Sequence, residues 1–244
     1  FLERMNAFMD SLYIVIPAYN ESETIRQVID DWYPIIEEHN GGESRLIIID
    51  DGSKDNTYEI MLECAKDKPF FTPLQKPNSG HGATVLYGYR YALDQGADYV
   101  FQTDSDGQTL PSEFAPFWDA RESFDMVIGW RKGREDGLSR IFVTKVLKYV
   151  VYLCFGVFVT DANTPYRLMK ADTLRRYIDI IPKDYNLSNV ILSVIYARRK
   201  CAVKYMPITF RPRQGGVNSI NMKRIFQIGK KALSDFREIN RKLR

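Results

Sequence analysis

Two carboxylates separated by one residue are the most informative chemical feature of this chain. Asp104 and Asp106 flank Ser105 and are followed by Gly107 and Gln108. The apolar run ahead of them indicates a strand, and Asp is unfavourable inside strands, so the pair is expected where that strand ends. Paired carboxylates suit a hard divalent cation that also binds substrate phosphates. The same residues form a good turn, so the pair alone leaves both interpretations open.

A second acidic pair, Asp50 and Asp51, follows the apolar run 45–49. Charge at the end of a buried strand is costly unless it has a partner. A carboxylate there can accept a hydrogen bond from the ring N–H of uracil or guanine. The pair can equally close a tight turn ahead of a helix, where Asn56 and Glu59 have the spacing of a capping box. The two roles are compatible.

Three loops have the composition of anion-binding segments. Residues 76–82 form a glycine-rich turn that enters a predicted helix, whose backbone N–H groups attract phosphate. The turn lacks the Gly-Lys-Ser/Thr of a P-loop and the third glycine of a dinucleotide fingerprint, which disfavours a Rossmann dehydrogenase. Loops 129–140 and 210–219 combine glycines with arginines, whose planar fork fits phosphate. An ordinary solvated loop is the alternative for each.

Strand and helix signals alternate through the first half of the chain. Strands are predicted at 13–16, 45–49, 70–74, 99–103 and 125–128, and helices at 22–38, after Asn56 and at 81–95. This alternation predicts an α/β fold with a mostly parallel sheet flanked by helices. Ligands bind at the carboxyl ends of strands in such sheets. We therefore expect the polar clusters 17–21, 50–53 and 104–108 along one edge, which favours the metal interpretation.

The second half is less regular. Helices are predicted at 139–155, 186–199 and 220–242, and strands at 157–161, 166–169 and 203–210. The sequence indicates one domain, 1–219, followed by a basic amphipathic helix, 220–244. This helix can face an anionic membrane surface, pair with a second copy as a homodimer, or be a solvated face. The apolar stretch 141–159 is interrupted by two lysines and a glycine, so we expect it to be buried or interfacial and not membrane-spanning.

Bulk properties exclude several classes. The net charge of +3 is too small to indicate nucleic-acid binding. The three scattered cysteines predict a reduced, cytoplasmic setting, and no signal peptide is expected. Histidines occur only at positions 39 and 81, and no Ser/His/Asp or Cys/His set suggests a protease or esterase.

The order of the motifs resembles the family 2 glycosyltransferases with the GT-A fold. The matching segments are 15–21, 48–55, 78–82 and 103–108. Further segments, 129–131, 140–144, 161–167 and 213–219, are similar to the polyprenyl-phosphate branch of that family. The resemblance covers roughly the whole chain, and the ordered set is more specific than any one motif.

The resemblance implies a role for each matching residue. It implies a nucleotide site at Pro17, Ala18, Tyr19, Glu21, Asp51, Lys76, Asp104 and Ser105. It implies that Mg²⁺ or Mn²⁺ and the diphosphate bind at Asp104, Asp106 and Gln108. It implies phosphate and acceptor contacts at Arg131, Arg140, Thr144, Arg213 and Ser219, and catalytic roles for Asp106, Arg131 and Arg140.

Two departures from the family pattern concern neighbouring positions. Ser105 stands where the family more often has Ala, and it is expected to face away from the metal. Pro165-Tyr166-Arg167 stands where the family often has Gly-Phe-Arg. This second difference leaves the identity of the acceptor open.

The implied reaction is an inverting transfer from a UDP- or GDP-sugar. A hydroxyl acceptor needs a general base, usually a carboxylate. Residues 184–189 carry amides where inverting relatives that act on hydroxyls have an acidic pair, whereas a phosphate acceptor needs no base. We therefore predict a polyprenyl phosphate acceptor and a peripheral enzyme on the inner face of the plasma membrane. The alternatives are transfer to a glycan hydroxyl, with Asp161 or Asp184 as base, and a nucleotide-sugar binding protein without turnover.

Overall fold

The computed structural model describes residues 10–39, 43–131, 148–211 and 235–241. Its strands are β1 Leu12–Ala18, β2 Arg45–Asp50, β3 Phe71–Gln75, β4 Tyr99–Gln102, β5 Met126–Arg131, β6 Arg167–Lys170 and β7 Val203–Ile208. Its helices are α1 Ile25–Glu38, α2 Thr57–Ala65, α3 His81–Asp94, α4 Ala115–Asp119, α5 Ala171–Tyr177 and α6 Ser188–Arg198. Residues 148–155 and 235–241 are also helical.

The seven strands form one sheet in the order β3-β2-β1-β4-β6-β5-β7. Strand β6 runs antiparallel to both β4 and β5, and every other pairing is parallel. Six strands therefore end at one edge of the sheet, and β6 begins there. The predicted α/β fold with a mostly parallel sheet is confirmed.

Helices cover both faces of the sheet, and strand β1 shows how. Leu12, Ile14 and Ile16 pack with α1 on one face, while Tyr13 and Val15 pack with α3 on the other. Successive side chains of a strand point to opposite faces, so a strand buried on both faces reads as an uninterrupted apolar run. Burial on both faces leaves the strand ends as the place where polar groups gather.

Two local predictions were wrong. Residues 157–161 form no strand. Gly156 ends the preceding helix with a φ of +68°. In the apolar run that follows, Val159 is buried in the core and Phe158 is exposed, so these residues pack against the core without joining the sheet. The Asn56 side chain makes no capping hydrogen bond, and Asp55 instead accepts the N–H of Thr57 at 3.1 Å.

Candidate active site

The three polar clusters meet at one edge of the sheet, as predicted. They follow β2, β1 and β4, which are adjacent and parallel. Backbone and side-chain hydrogen bonds join the first two: Asp51 N donates to Ala18 O at 2.8 Å, Asn20 N to Ser53 Oγ at 2.9 Å, and Lys54 N to Asn20 Oδ1 at 2.8 Å. The chain reverses its direction of strand addition between β1 and β4, which is where ligands bind in open α/β sheets.

Residues assigned to the nucleotide differ widely in exposure. Pro17 and Ala18 are buried within β1, whereas the Tyr19 ring is exposed. Glu21 is buried and accepts a hydrogen bond from Thr24 Oγ1 at 3.0 Å. Among the residues assigned to the nucleotide here, Tyr19 therefore has surface available to a base, whereas the buried Glu21 supports the loop through its hydrogen bond with Thr24.

Asp51 organises the glycine-rich loop. Its carboxylate accepts the N–H of Ser79 at 2.9 Å and of Gly80 at 2.8 Å, and it is paired with the Lys76 ammonium. Burial alone raises the pKa of the Asp51 carboxyl, but the hydrogen bonds from Lys76 and Ser79 outweigh it and lower the pKa. The structure thus adds a loop-holding role to the base contact implied for Asp51.

The lowered pKa of Asp51 makes the stability of the protein depend on pH. A carboxyl with a lower pKa in the folded state stabilises the fold fully above its unfolded pKa, near 4, and loses that contribution as the pH falls below it. We expect Asp51→Asn to lower the free energy of unfolding by about 1–3 kcal/mol at neutral pH. Urea denaturation of both proteins at several pH values should show the difference narrowing below about pH 4. A difference that stays constant would contradict this role.

The acidic pair lies just beyond the end of β4. Asp104 and Asp106 are partly exposed, whereas Ser105 between them is buried. Asp106 Oδ1 accepts the N–H of Gln108 at 3.2 Å. Gln108 Nε2 donates to Arg211 O at 2.8 Å, and Arg211 N donates back to Gln108 O at 2.8 Å. The predicted metal site is therefore joined to the start of the second arginine loop.

Oxygen donors at this edge fit a hard divalent cation. Asp104 and Asp106 present carboxylates, the ligands that Mg²⁺ and Mn²⁺ take from proteins. Within the described residues, no group of three or more His, Cys, Asp or Glu side chains could hold a metal ion. A cation bound through two carboxylates completes its shell with substrate phosphate and water, as magnesium commonly does.

His81 belongs to the predicted anion-binding loop 76–82, but the sequence did not place it against the acidic pair. Its Nε2 lies 2.9 Å from Asp104 Oδ1. Partial desolvation opposes protonation of this half-exposed imidazole, but the carboxylates, Asp104 above all, with Asp106 and Asp51, raise the pKa of His81. The predicted topology could have indicated this contact, because α3 begins at the sheet edge where β4 ends. His39, by contrast, packs edge-on against the rings of Phe114 and Trp118.

The glycine pair of this loop permits close packing. A Cβ on Gly82 would lie 2.3 Å from the backbone oxygen of Asn186, and one on Gly80 would lie 2.5 Å from Asn186 Oδ1. The loop that carries exposed Asp184 therefore rests on the N-terminus of α3. These glycines bring two loops together, a role that the phosphate interpretation did not include.

Arg131 ends β5 on the same edge and is held by two partners. Its Nε and Nη2 donate to the two Asp161 oxygens at 3.0 and 2.9 Å, a bidentate ion pair in which both side chains are nearly buried. Its guanidinium carbon lies 5.1 Å from the centre of the Phe210 ring. The guanidinium plane is thereby fixed in one orientation.

Arg167 fixes the segment that carries Asp161. This fully buried side chain donates to the carbonyl oxygens of Ala162 at 3.2 Å, Thr164 at 2.6 Å and Asn189 at 3.1 Å. In the sequence, Arg167 ends the Pro165-Tyr166-Arg167 segment, whose departure from Gly-Phe-Arg left the acceptor open. The structure shows an arginine that binds backbone oxygens and shapes the turn after Asp161.

Four predicted acceptor residues, Arg140, Thr144, Arg213 and Ser219, lie outside the described residues. Arg140 is therefore a predicted catalytic residue without a structural test. Arg211, two residues before Arg213, contacts Gln108 as described above. Their assignments stay predictions.

The chain belongs to glycosyl transferase family 2, whose family model matches residues 13–179. It is therefore a glycosyltransferase. A UDP-N-acetylglucosamine–dolichyl-phosphate N-acetylglucosaminyltransferase of Methanococcus voltae is 29% identical over 184 residues, covering 67% of this chain and 71% of that protein. An undecaprenyl-phosphate mannosyltransferase of Micrococcus luteus is 26% identical over 214 residues, covering 85% and 86%.

Solved structures confirm the GT-A fold. Glucosyl-3-phosphoglycerate synthase of Mycobacterium tuberculosis, in complex with phosphoglyceric acid, superposes with a TM-score of 0.69 at 18% identity, covering 98% of this chain and 84% of that one. The same enzyme with Mn²⁺ and UDP-glucose gives 0.66 at 17% identity, covering 96% and 81%. At these identities the likeness establishes the fold alone.

Proposed function

We propose that this protein transfers a sugar, with inversion, from a nucleotide diphosphate sugar to a polyprenyl phosphate in a reaction that requires Mg²⁺ or Mn²⁺. One observation carries the proposal. Arg131 lies at the end of β5, on the sheet edge where the acidic pair follows β4, with its guanidinium fixed by Asp161 and Phe210. A cation site and a guanidinium on one edge can bind two phosphate-bearing substrates at once.

The donor half of the reaction rests on the edge formed by β2, β1 and β4. Asp104 and Asp106, with Gln108, would hold the cation, which when bound neutralises the leaving diphosphate. The loop anchored by Asp51 brings Lys76 and the N-terminus of α3 to the same edge, where backbone N–H groups favour phosphate. Tyr19 offers an exposed ring to the base. UDP-N-acetylglucosamine is the first donor to test, because the M. voltae relative is named for it.

The acceptor half rests on Arg131 and on the position of Asp161. Asp161, a candidate base for a hydroxyl acceptor, directs both oxygens toward Arg131. The guanidinium thereby occupies one lone pair on each Asp161 oxygen, and these contacts of Asp161 serve to hold Arg131. A phosphate acceptor is already anionic and needs no such base. The named acceptors of both sequence relatives are polyprenyl phosphates, which supports the same assignment.

A two-phase transfer assay tests the function. The protein is incubated with Mn²⁺, a radiolabelled UDP- or GDP-sugar, and either undecaprenyl phosphate or undecaprenol. We expect label in the organic phase with the phosphate alone, because the alcohol lacks the anionic nucleophile. Label on undecaprenol or in a soluble glycan would contradict the acceptor assignment. Donor hydrolysis without transfer to any acceptor would contradict the reaction itself.

A membrane-facing surface is part of the proposal. No helix within the described ranges is long and apolar enough to cross a bilayer. The helical residues 148–155 and Phe158 nevertheless expose four apolar side chains, Tyr149, Tyr152, Leu153 and Phe158. The rings of Tyr152 and Phe158 stack at 4.3 Å. We call these four residues the aromatic patch, and such rings favour the membrane interface.

The helical residues 235–241 pack against the helix 148–155 that carries most of the aromatic patch. Phe236 packs against Phe155 with ring centres 5.2 Å apart, and Asn240 Nδ2 donates to Cys154 O at 2.8 Å. Arg237, Glu238 and Arg241 of this helical segment are exposed. Apolar side chains next to exposed arginines suit an anionic lipid surface, which supports a peripheral position for the enzyme.

Vesicle flotation tests the membrane proposal. The protein is mixed with phosphatidylcholine vesicles with and without phosphatidylglycerol. We expect flotation with the anionic vesicles and its loss in the double variant Leu153→Ser, Phe158→Ser. Leu62→Ser, an exposed leucine on α2 beyond the opposite face of the sheet, is the matched control. Lipid-independent dimers that the double variant disrupts would instead favour a homodimer through this face.

A further inference from the structure

We infer that His81 is a positioning residue for the cation site. It holds one oxygen of Asp104 so that the other faces the cation and the diphosphate. The inference rests on the proposed function, because it assumes that Asp104 and Asp106 bind the cation. It concerns a side chain that lies in the matching segment 78–82 and to which the family resemblance gives no role.

The backbone places His81 against Asp104 with little freedom. His81 is the first residue of α3, and Gly80 before it has a φ of +91°. The N–H groups of Ser79 and Gly80 are fixed on Asp51, so the chain enters α3 in a set direction. The imidazole then meets Asp104 Oδ1 at 2.9 Å. The hydrogen bonds to Asp51, at the end of β2, therefore determine where the His81 side chain lies relative to Asp104, at the end of β4.

Exposure shows which oxygen is left for a ligand. The His81 side chain is 51% exposed and that of Asp104 is 25% exposed, so the pair borders open space instead of the core. With Oδ1 turned to His81, Asp104 keeps Oδ2 for a cation. Carboxylates that bind metals are commonly oriented by a hydrogen-bond donor of this kind.

A direct ligand role for the contacting nitrogen does not fit this contact. Nε2 faces a carboxylate oxygen, which accepts hydrogen bonds, so Nε2 must carry the proton. A metal ligand needs a free lone pair on the nitrogen. His81 therefore acts through Asp104, and its removal should change the affinity for the cation without removing a ligand.

Mn²⁺ titration followed by the free-ion EPR signal tests the inference without sugar transfer. Outer-shell partners of metal ligands typically contribute 10–100-fold in affinity. We therefore expect His81→Leu to raise the Mn²⁺ dissociation constant by about 10–100-fold. His81→Gln, which keeps an N–H donor, should recover part of that loss. His39→Gln, the only other histidine of the chain, should leave the dissociation constant unchanged.

The outcomes separate this inference from the proposed function. If the wild type binds Mn²⁺ and His81→Leu leaves the dissociation constant unchanged or lowers it, the positioning role of His81 is wrong. The proposed cation site is not affected by that result. A wild type that binds no Mn²⁺, with or without UDP, would overturn the cation site and the inference with it. Equal loss in His81→Leu and His81→Gln, with the fold intact by circular dichroism, would also overturn the role of the donor.

Discussion

Asp106→Asn is expected to abolish cation-dependent sugar transfer while the protein stays folded. An amide keeps the size of the side chain but removes the negative charge that the cation requires. Cation stabilisation of a leaving diphosphate contributes several kcal/mol, so we expect turnover to fall by about 10³-fold or more. The fold should persist because Asp106 is partly exposed and lies beyond the end of β4.

The measurement is the two-phase transfer assay over a range of Mn²⁺ concentrations. Asp119→Asn, an exposed carboxylate on α4, is the matched control and should retain full turnover. Thermal unfolding should give similar midpoints for both variants and the wild type. If Asp106→Asn turns over at the wild-type rate, the assignment of Asp106 to the cation site is wrong. Recovery of turnover at high Mn²⁺ concentration would show that the charge of Asp106 affects only the affinity for the cation and not the rate of transfer once the cation is bound.

Arg131→Lys is expected to lower kcat/KM for the phosphate acceptor by about 10²-fold, which corresponds to about 3 kcal/mol. Lysine keeps the charge but loses the planar fork that binds two oxygens at once. It also loses the bidentate pair with Asp161 and the orientation that this pair gives. The loss should appear in KM and kcat/KM for the acceptor, while KM for the donor changes little. Arg131 is on the same edge of the sheet as the donor residues, but β6 separates its strand, β5, from β4.

The control variants distinguish the loss of phosphate binding by the guanidinium from a general loss of protein stability. Removing one member of a nearly buried ion pair leaves an uncompensated charge, which is itself destabilising. A variant that removes the charge of Arg131 must therefore also remove the charge of Asp161. We compare Arg131→Lys with the double variant Arg131→Met, Asp161→Asn, which leaves neither charge without a partner. Arg199→Lys, an exposed arginine after α6, should behave as the wild type. Full acceptor kinetics in the folded double variant would exclude Arg131 from phosphate binding.

The sequence predicted much of the donor half of the site for a simple physical reason. Parallel strands present their ends at one edge, so a polar cluster after each apolar run identifies a shared site without any knowledge of distances. The clusters at 17–21, 50–53 and 104–108 follow this rule and lie together. The order of the motifs also identified the family.

Contacts between distant segments could not be predicted in the same way. Nothing in the local sequence links Arg131 to Asp161, which lie thirty positions apart and meet through β6, the antiparallel strand. The segment 157–161 begins with three apolar residues of high β-propensity, but strand formation needs a neighbouring strand with free backbone groups. Local pattern cannot reveal whether such a neighbour exists.

The sequence by itself determined the family, the α/β fold and the edge of the sheet where the acidic pair lies. These follow from periodicity and from strand ends, which are local properties of the chain. Only the tertiary structure decided the partners of each charged group: His81 on Asp104, the 76–80 loop on Asp51, and Asp161 on Arg131. Those pairings depend on strand order and loop packing, because the same side chains offer many partners until the fold brings a few within hydrogen-bonding distance.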